Sequence, residues 1–243
     1  MPDTLVLKHI TYSVRGFPVL RDINLMVTQG DIVLINGRSG HGKSSLLEIC
    51  AGLLQPDSGD VLWDDVSVQS MSKTQIQDAR FKMGFVFQLH ALISNYSIVD
   101  NIALPIRCRK GYNDNAINGQ VKQVMELFGL YGVDKLFPES LSCGQLKLAS
   151  MARAFAGEPE MVFLDDPMSG CDPRTLGGIL NVLGEYKRKQ NITLIIISQD
   201  LTLFKEFSPK KYIIESGKLT PWTRDDNPND EDFKDDDDTE HET

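Results

Sequence analysis

The chain of 243 residues is 41% hydrophobic, enough for a sizeable core, and carries 25 basic and 34 acidic residues for a formal net charge of −9. Eleven of the acidic residues and one of the basic ones fall within 225–243, leaving 24 basic and 23 acidic residues over 1–224, a near-neutral body without the basic footprint of a nucleic-acid binder. No apolar run approaches the roughly 18 to 20 residues of a membrane-spanning helix. The first residues lack the basic and apolar regions of a secretory signal, and Cys50, Cys108, Cys143 and Cys171 form no Cys-x-x-Cys pair, so neither a disulfide framework nor a zinc site is expected. The chain is expected in the cytoplasm, reaching a membrane only through partner subunits.

Along the chain, 5–12 and 19–27 read as strands joined by a turn at Arg15-Gly16, and 31–36 as a buried strand. That strand enters a glycine-rich loop and then a helical pattern over 43–51. Residues 57–60 read as a turn, 61–63 as a strand edge and 84–87 as a short apolar strand. From about 98 to 137 the periodicity is helical, with Val121, Val124, Met125, Leu127 and Phe128 on one spacing. Helical segments at 144–156 and 176–189 precede strands at 161–165 and 192–198, and a last pair of strands, 212–215 and 218–219, brackets a turn at Ser216-Gly217. Strands alternating with helices predict an α/β fold with a mostly parallel sheet, interrupted over 89–157 by a helical subdomain. The acidic residues 225–243 have no apolar periodicity and repel one another, which predicts a solvated tail without a packed core.

Gly37, Arg38, Ser39, Gly40, His41, Gly42, Lys43 and Ser44 fit G-x-x-x-x-G-K-[ST] completely, between a predicted strand and a predicted helix. Glycines let the main chain approach a polyphosphate, and the helix N-terminus adds the positive end of its dipole. Lys43 is the expected point charge for the β- and γ-phosphates, Ser44 the expected magnesium ligand, and Ser45 continues the cradle.

A second cluster narrows the class. Leu141-Ser142-Cys143-Gly144-Gln145 precedes a helix, and Phe163-Leu164-Asp165-Asp166-Pro167 and Ser169-Gly170-Cys171-Asp172 follow it. In order and spacing these resemble the ATP-binding-cassette family, over about residues 4–220. The resemblance implies a P-loop NTPase (RecA-like) core at about 1–88 and 158–224, with an N-terminal antiparallel β-subdomain. The helical subdomain is inserted at 89–157, and the acidic tail at 225–243 stands apart. It implies ATP and Mg²⁺ as ligands. Tyr12 would stack on adenine, or serve only as a strand tyrosine. Gln88 would stand at the Q-loop and Asp165 would hold magnesium with Ser44 and Gln88. Asp166 and Gln199 would act with Lys43 and Gln88 in hydrolysis. Ser142, Gly144 and Gln145 would reach the ATP of a second subunit, with Asp172 in the loop between them. Two cassettes then sandwich two ATPs, and a membrane-embedded permease docks near Leu89, Ala91, Leu92, Ile93 and Tyr96. The expected location is peripheral, on the cytoplasmic face of the inner membrane.

Three positions depart from the family pattern. Asp166 stands where a glutamate is usual, and its stem is shorter by one carbon–carbon bond of about 1.5 Å. Gln199 stands where a histidine is usual; it can donate a hydrogen bond but cannot carry a positive charge. Cys143 replaces the first signature glycine. These changes leave two functions open: an ATPase that powers transport, or a cassette that binds ATP with little turnover. A DNA-repair or translation cassette fits poorly, because the chain carries neither a second cassette nor a long coiled-coil insertion. Residues 85–105 and the Ser-Gly-Cys-Asp-Pro run at 169–173 are similar to cassettes serving Mce/Mla-type phospholipid transporters, with lipoprotein-release and macrolide-export types as the alternative.

Overall fold

The computed structural model describes residues 4–109 and 111–222. β1 (Thr4–Val14), β2 (Phe17–Thr28), β4 (Ser58–Trp63) and β5 (Val66–Ser67) form an antiparallel sheet in the order β2-β1-β4-β5. Arg15 and Gly16, both at positive φ, make the tight turn that closes β1 onto β2. The predicted turn at 57–60 is corrected: Ser58, Gly59 and Asp60 belong to β4, and the break in register lies between Lys8 and Thr11 of β1. Gly59 sits there at φ 90°, and a side chain would meet the His9 carbonyl at 2.4 Å, so a turn-type residue serves an irregularity inside a strand.

The second sheet has the order β10-β9-β3-β8-β7-β6, built from β3 (Ile32–Asn36), β6 (Met83–Val86), β7 (Met161–Asp165), β8 (Thr193–Ile197), β9 (Lys210–Glu215) and β10 (Lys218–Pro221). β9, β3, β8, β7 and β6 are parallel, and β10 returns antiparallel on the edge. Strands buried on both faces need apolar residues at every position, and alternate residues divide between two cores. Leu34, Leu164 and Ile196 face one side, where they pack with α3 (Ile98–Arg107), α4 (Asp114–Leu127), α5 (Cys143–Phe155) and α6 (Pro173–Gln190). Val33, Phe163 and Ile195 face the other, against α1 (Lys43–Cys50) and the antiparallel sheet, where the fully buried Trp63 donates from Nε1 to the Cys50 carbonyl.

The continuous helical pattern predicted over 98–137 is two helices. α3 stops at Arg107, and Asn113 starts α4 afresh by accepting from the Ala116 N–H at 2.9 Å. α2 (Lys73–Arg80) was not predicted, because it buries no residue; its one sequence signal is the capping box of Ser72 and Gln75. The acidic tail predicted at 225–243 lies outside the described residues. No helix among the described residues is long and apolar enough to cross a membrane.

Candidate functional site: a phosphate cradle at the carboxyl edge of the parallel sheet

In a parallel α/β sheet, ligands sit beyond the carboxyl ends of the strands. Here β3, β6, β7 and β8 release at that edge the loop at 37–42, Gln88, the Asp165-Asp166 pair and Gln199. Ser39, Gly40 and Gly42 of that loop line one cavity of about 330 Å³ with Lys43, Ser44, Ser45, Gln88, Asp165, Asp166, Ile197 and Gln199, whereas Gly37, Arg38 and His41 do not line it.

The loop conformation is dictated by glycine. Gly37, Gly40 and Gly42 all have positive φ, and at Gly42 an added Cβ would stand 2.5 Å from a Val19 methyl group. Gly42 is the left-handed N-cap of α1 and brings no capping side chain, so the first amides of that helix are left for a ligand. Lys43 donates from Nζ to the carbonyls of Gly37 at 2.6 Å and Arg38 at 2.8 Å, curling its ammonium over the loop. Burial pushes the Lys43 ammonium below its usual pKa, and the carboxylates of Asp165 and Asp166 oppose that. The buried His41 Nδ1 has no partner.

Asp165 and Asp166 are 6% and 8% exposed. Burial raises the Asp165 carboxyl above its ordinary range; the Ser44 hydroxyl, hydrogen-bonded to it, lowers it again, and the neighbouring Asp166 adds to the rise. Burial likewise raises Asp166, against the favourable charges of Lys147 and Lys43. Two buried carboxylates beside a hydroxyl and the Gln88 amide form an oxygen-only donor set suited to a hard divalent cation. With the glycine cradle alongside, the residues fit magnesium and a polyphosphate.

Gln199 is positioned through its main chain: the Asn36 amide donates to the carbonyls of Ser198 and Gln199, each at 2.9 Å. Asp166 has φ 47°, a left-handed conformation that aspartate tolerates better than most residues, and its N–H donates to the Ile197 carbonyl at 3.1 Å.

Other predicted site residues lie elsewhere. Tyr12 does not line the cavity: it packs, half-buried, against the core of the antiparallel sheet, and Val14 and Val19 occupy the cavity wall beyond it. Ser142, Gly144 and Gln145 also stand outside the cavity, at the N-terminus of α5. There Ser142 and Gln145 cap the helix reciprocally, so the Gln145 amide is engaged within its own chain. Asp172 caps α6 by accepting from the Arg174 and Thr175 N–H groups, and its other oxygen accepts from the Thr175 hydroxyl at 2.6 Å. Gly144 faces that cap, where a side chain would come within 3.1 Å of Thr175 Oγ1.

Lys147 escaped the sequence reading. It is 3% exposed and donates to the carbonyls of Asp166 at 3.3 Å and Gln88 at 3.4 Å. The available signal was its place four and eight residues before Met151 and Phe155, on the face of the predicted helix that those residues bury.

Residues 20–169 match the family described as ABC transporter. The ATP-binding protein MlaF of the intermembrane phospholipid transport system from Haemophilus influenzae is 35% identical over 218 residues, covering 89% of this chain and 82% of that protein. Its namesake from Escherichia coli K12 is 31% identical, covering 88% and 79%. The methionine import ATP-binding protein MetN of Carboxydothermus hydrogenoformans is 34% identical, covering 86% of this chain but 62% of that protein. Among solved structures, the dimeric bacterial ABC transporter cassette MJ0796 superimposes with a TM-score of 0.82 at 25% identity, over 88% of this chain and 96% of that one. A phosphate cradle, a two-carboxylate strand end and a detached capped helix on this fold, with these similarities, make the chain a member of the ABC transporter family of ATPases, which bind ATP with magnesium.

Proposed function

We propose that the chain is the ATP-hydrolysing subunit of a phospholipid transporter and works as a dimer against a membrane-embedded permease. The observation that carries the dimer reading is the division of the family's motifs. The cradle, Gln88, Asp165, Asp166 and Gln199 share one cavity, whereas Ser142 and Gly144 stand outside it at the N-terminus of α5, whose dipole favours an anion. A second copy, turned head to tail, would bring that helix end to the γ-phosphate.

Within one site, Lys43 and the loop amides would hold the phosphates, and Ser44, Asp165 and Gln88 would hold a magnesium ion, which would supply charge neutralisation for the polyphosphate. Asp166 accepts the proton of the attacking water, and the Gln199 amide donates to the γ-phosphate. With a short base and a neutral amide, turnover is slower than a glutamate–histidine pair would give.

The permease surface proposed at 89–96 agrees with Leu89, which is 82% exposed. The segment behind it is fixed by the fully buried Asn101, whose amide donates to the carbonyls of Ile93, Tyr96 and Ser97 and whose Oδ1 accepts from the Ile93 N–H at 2.7 Å. Phospholipid is favoured as cargo by the two MlaF relatives, of which the chain covers more than three quarters. The test is purification with the membrane partners and reconstitution in vesicles. ATP-dependent phospholipid movement that is lost in Asp165→Asn is expected. ATPase activity stimulated by methionine and indifferent to lipid would overturn the cargo assignment.

A further inference from the structure

Lys147 has no part in the chemistry described so far. It lies in the second turn of α5, on the buried stripe with Met151 and Phe155, both fully buried. An ammonium taken out of water without compensation is strongly unfavourable, and an apolar residue would pack there at no such penalty. The compensation it finds is specific. Its Nζ donates to the Asp166 carbonyl at 3.3 Å and the Gln88 carbonyl at 3.4 Å, and its charge faces the carboxylates of Asp165 and Asp166.

Those two carbonyls belong to different elements. Gln88 follows β6 and Asp166 follows β7, while Lys147 rides on the helix capped by Ser142. One buried charge therefore joins α5 to the chain just after β6 and the chain just after β7, where Gln88 and Asp166 line the cavity. Arg153, on the same helix, does less: it donates to the carbonyls of Ala91 at 2.7 Å and His90 at 3.4 Å, bracing the chain after Gln88. Asp166 needs such a tether more than its neighbours do, because it leaves β7 in the left-handed conformation.

We propose that Lys147 is a positioning residue for hydrolysis, tying the backbone of Gln88 and Asp166 to the helix whose N-terminus serves the second nucleotide. The proposal rests on the ATPase reading above. The tie sets where the Asp166 carboxylate and the Gln88 amide stand, and it makes any movement of α5 a movement of both.

The test uses the full-length chain with Lys147→Met, which keeps length and removes charge, and Lys147→Arg, which keeps the charge. In the nucleotide-free protein, Lys147→Met is expected to raise amide exchange at 88–91 and 166–169 by about tenfold or more, with α1 and the antiparallel sheet unchanged. In the same variant kcat is expected to fall about tenfold or more while the Kd for ATP moves less than about threefold, because a displaced base loses rate and not phosphate contacts. Lys147→Arg is expected to restore most of both. Unchanged exchange at either segment overturns the tie. So does exchange raised throughout the chain with a lowered Tm and no rescue by arginine, since that marks a packing residue alone. A wild-type chain with no turnover refutes the ATPase reading instead, and the exchange measurement still decides the role of Lys147.

Discussion

Restoring the family residues at Asp166 and Gln199 probes the hydrolytic site most sharply. Asp166→Glu extends the carboxylate by one bond, about 1.5 Å, into the cavity it already lines. Misplacement by about 1 Å costs on the order of a hundredfold in rate, so a base that now stands too far back should gain by up to that factor. The backbone opposes the change. Asp166 has φ 47°, and a longer side chain without aspartate's local hydrogen bonding costs about 1 kcal/mol there, a Tm lower by about 2–4 °C in a chain of this size. Gln199→His restores a group able to hold both γ-phosphate and water, on a main chain already pinned by Asn36. Both residues act on one water, so their effects on rate should be coupled, the double variant exceeding either single one with little change in ATP affinity. The assay is steady-state ATPase activity of the four proteins with their membrane partners, with thermal melts alongside. A rate that falls in Asp166→Glu and vanishes in Asp166→Asn refutes the reasoning, because Asp166 is then a well-placed base.

Further outcomes follow from the same geometry. Lys43→Ala removes the ammonium that spans Gly37 and Arg38, and should weaken ATP binding by about 2 kcal/mol, roughly thirtyfold, in a nucleotide titration, with the circular dichroism spectrum unchanged. Leu89→Asp should abolish association with the permease while leaving ATP binding intact in a pull-down and titration; Leu92 is a poorer probe because it packs on the core. Burial pushes the Asp31 carboxyl up, but hydrogen bonds from Lys210 at 2.6 Å and from the Thr28 N–H and hydroxyl, each at 2.8 Å, outweigh it and hold the group below its ordinary value. Its contribution is thus present above the ordinary unfolded carboxylate value and lost as pH falls through the lower folded one, so Asp31→Asn should flatten the acid limb of a pH-dependent melt.

The parallel strands were legible because β3, β7 and β8 are apolar through their centres, and the phosphate loop because its glycines, Lys43 and Ser44 have a fixed spacing between strand and helix. Misreadings came where local chemistry serves a tertiary purpose. Gly59 has the composition of a turn yet allows a close approach within β4. α2 has no apolar face to detect, and the burial of Lys147 depends on carbonyls from loops 59 and 19 residues away in sequence.

The head-to-tail sandwich is tested most directly by the mass of the Asp166→Asn protein in solution, measured by light scattering with and without ATP and magnesium. Slow hydrolysis in this variant should preserve the closed state. Dimers at saturating ATP, monomers without it, and monomers that still bind ATP when Ser142→Arg is added are the predicted result. A chain that stays monomeric at saturating ATP, or a Ser142→Arg variant that dimerises as well as its parent, contradicts the placement of that helix end on the second nucleotide.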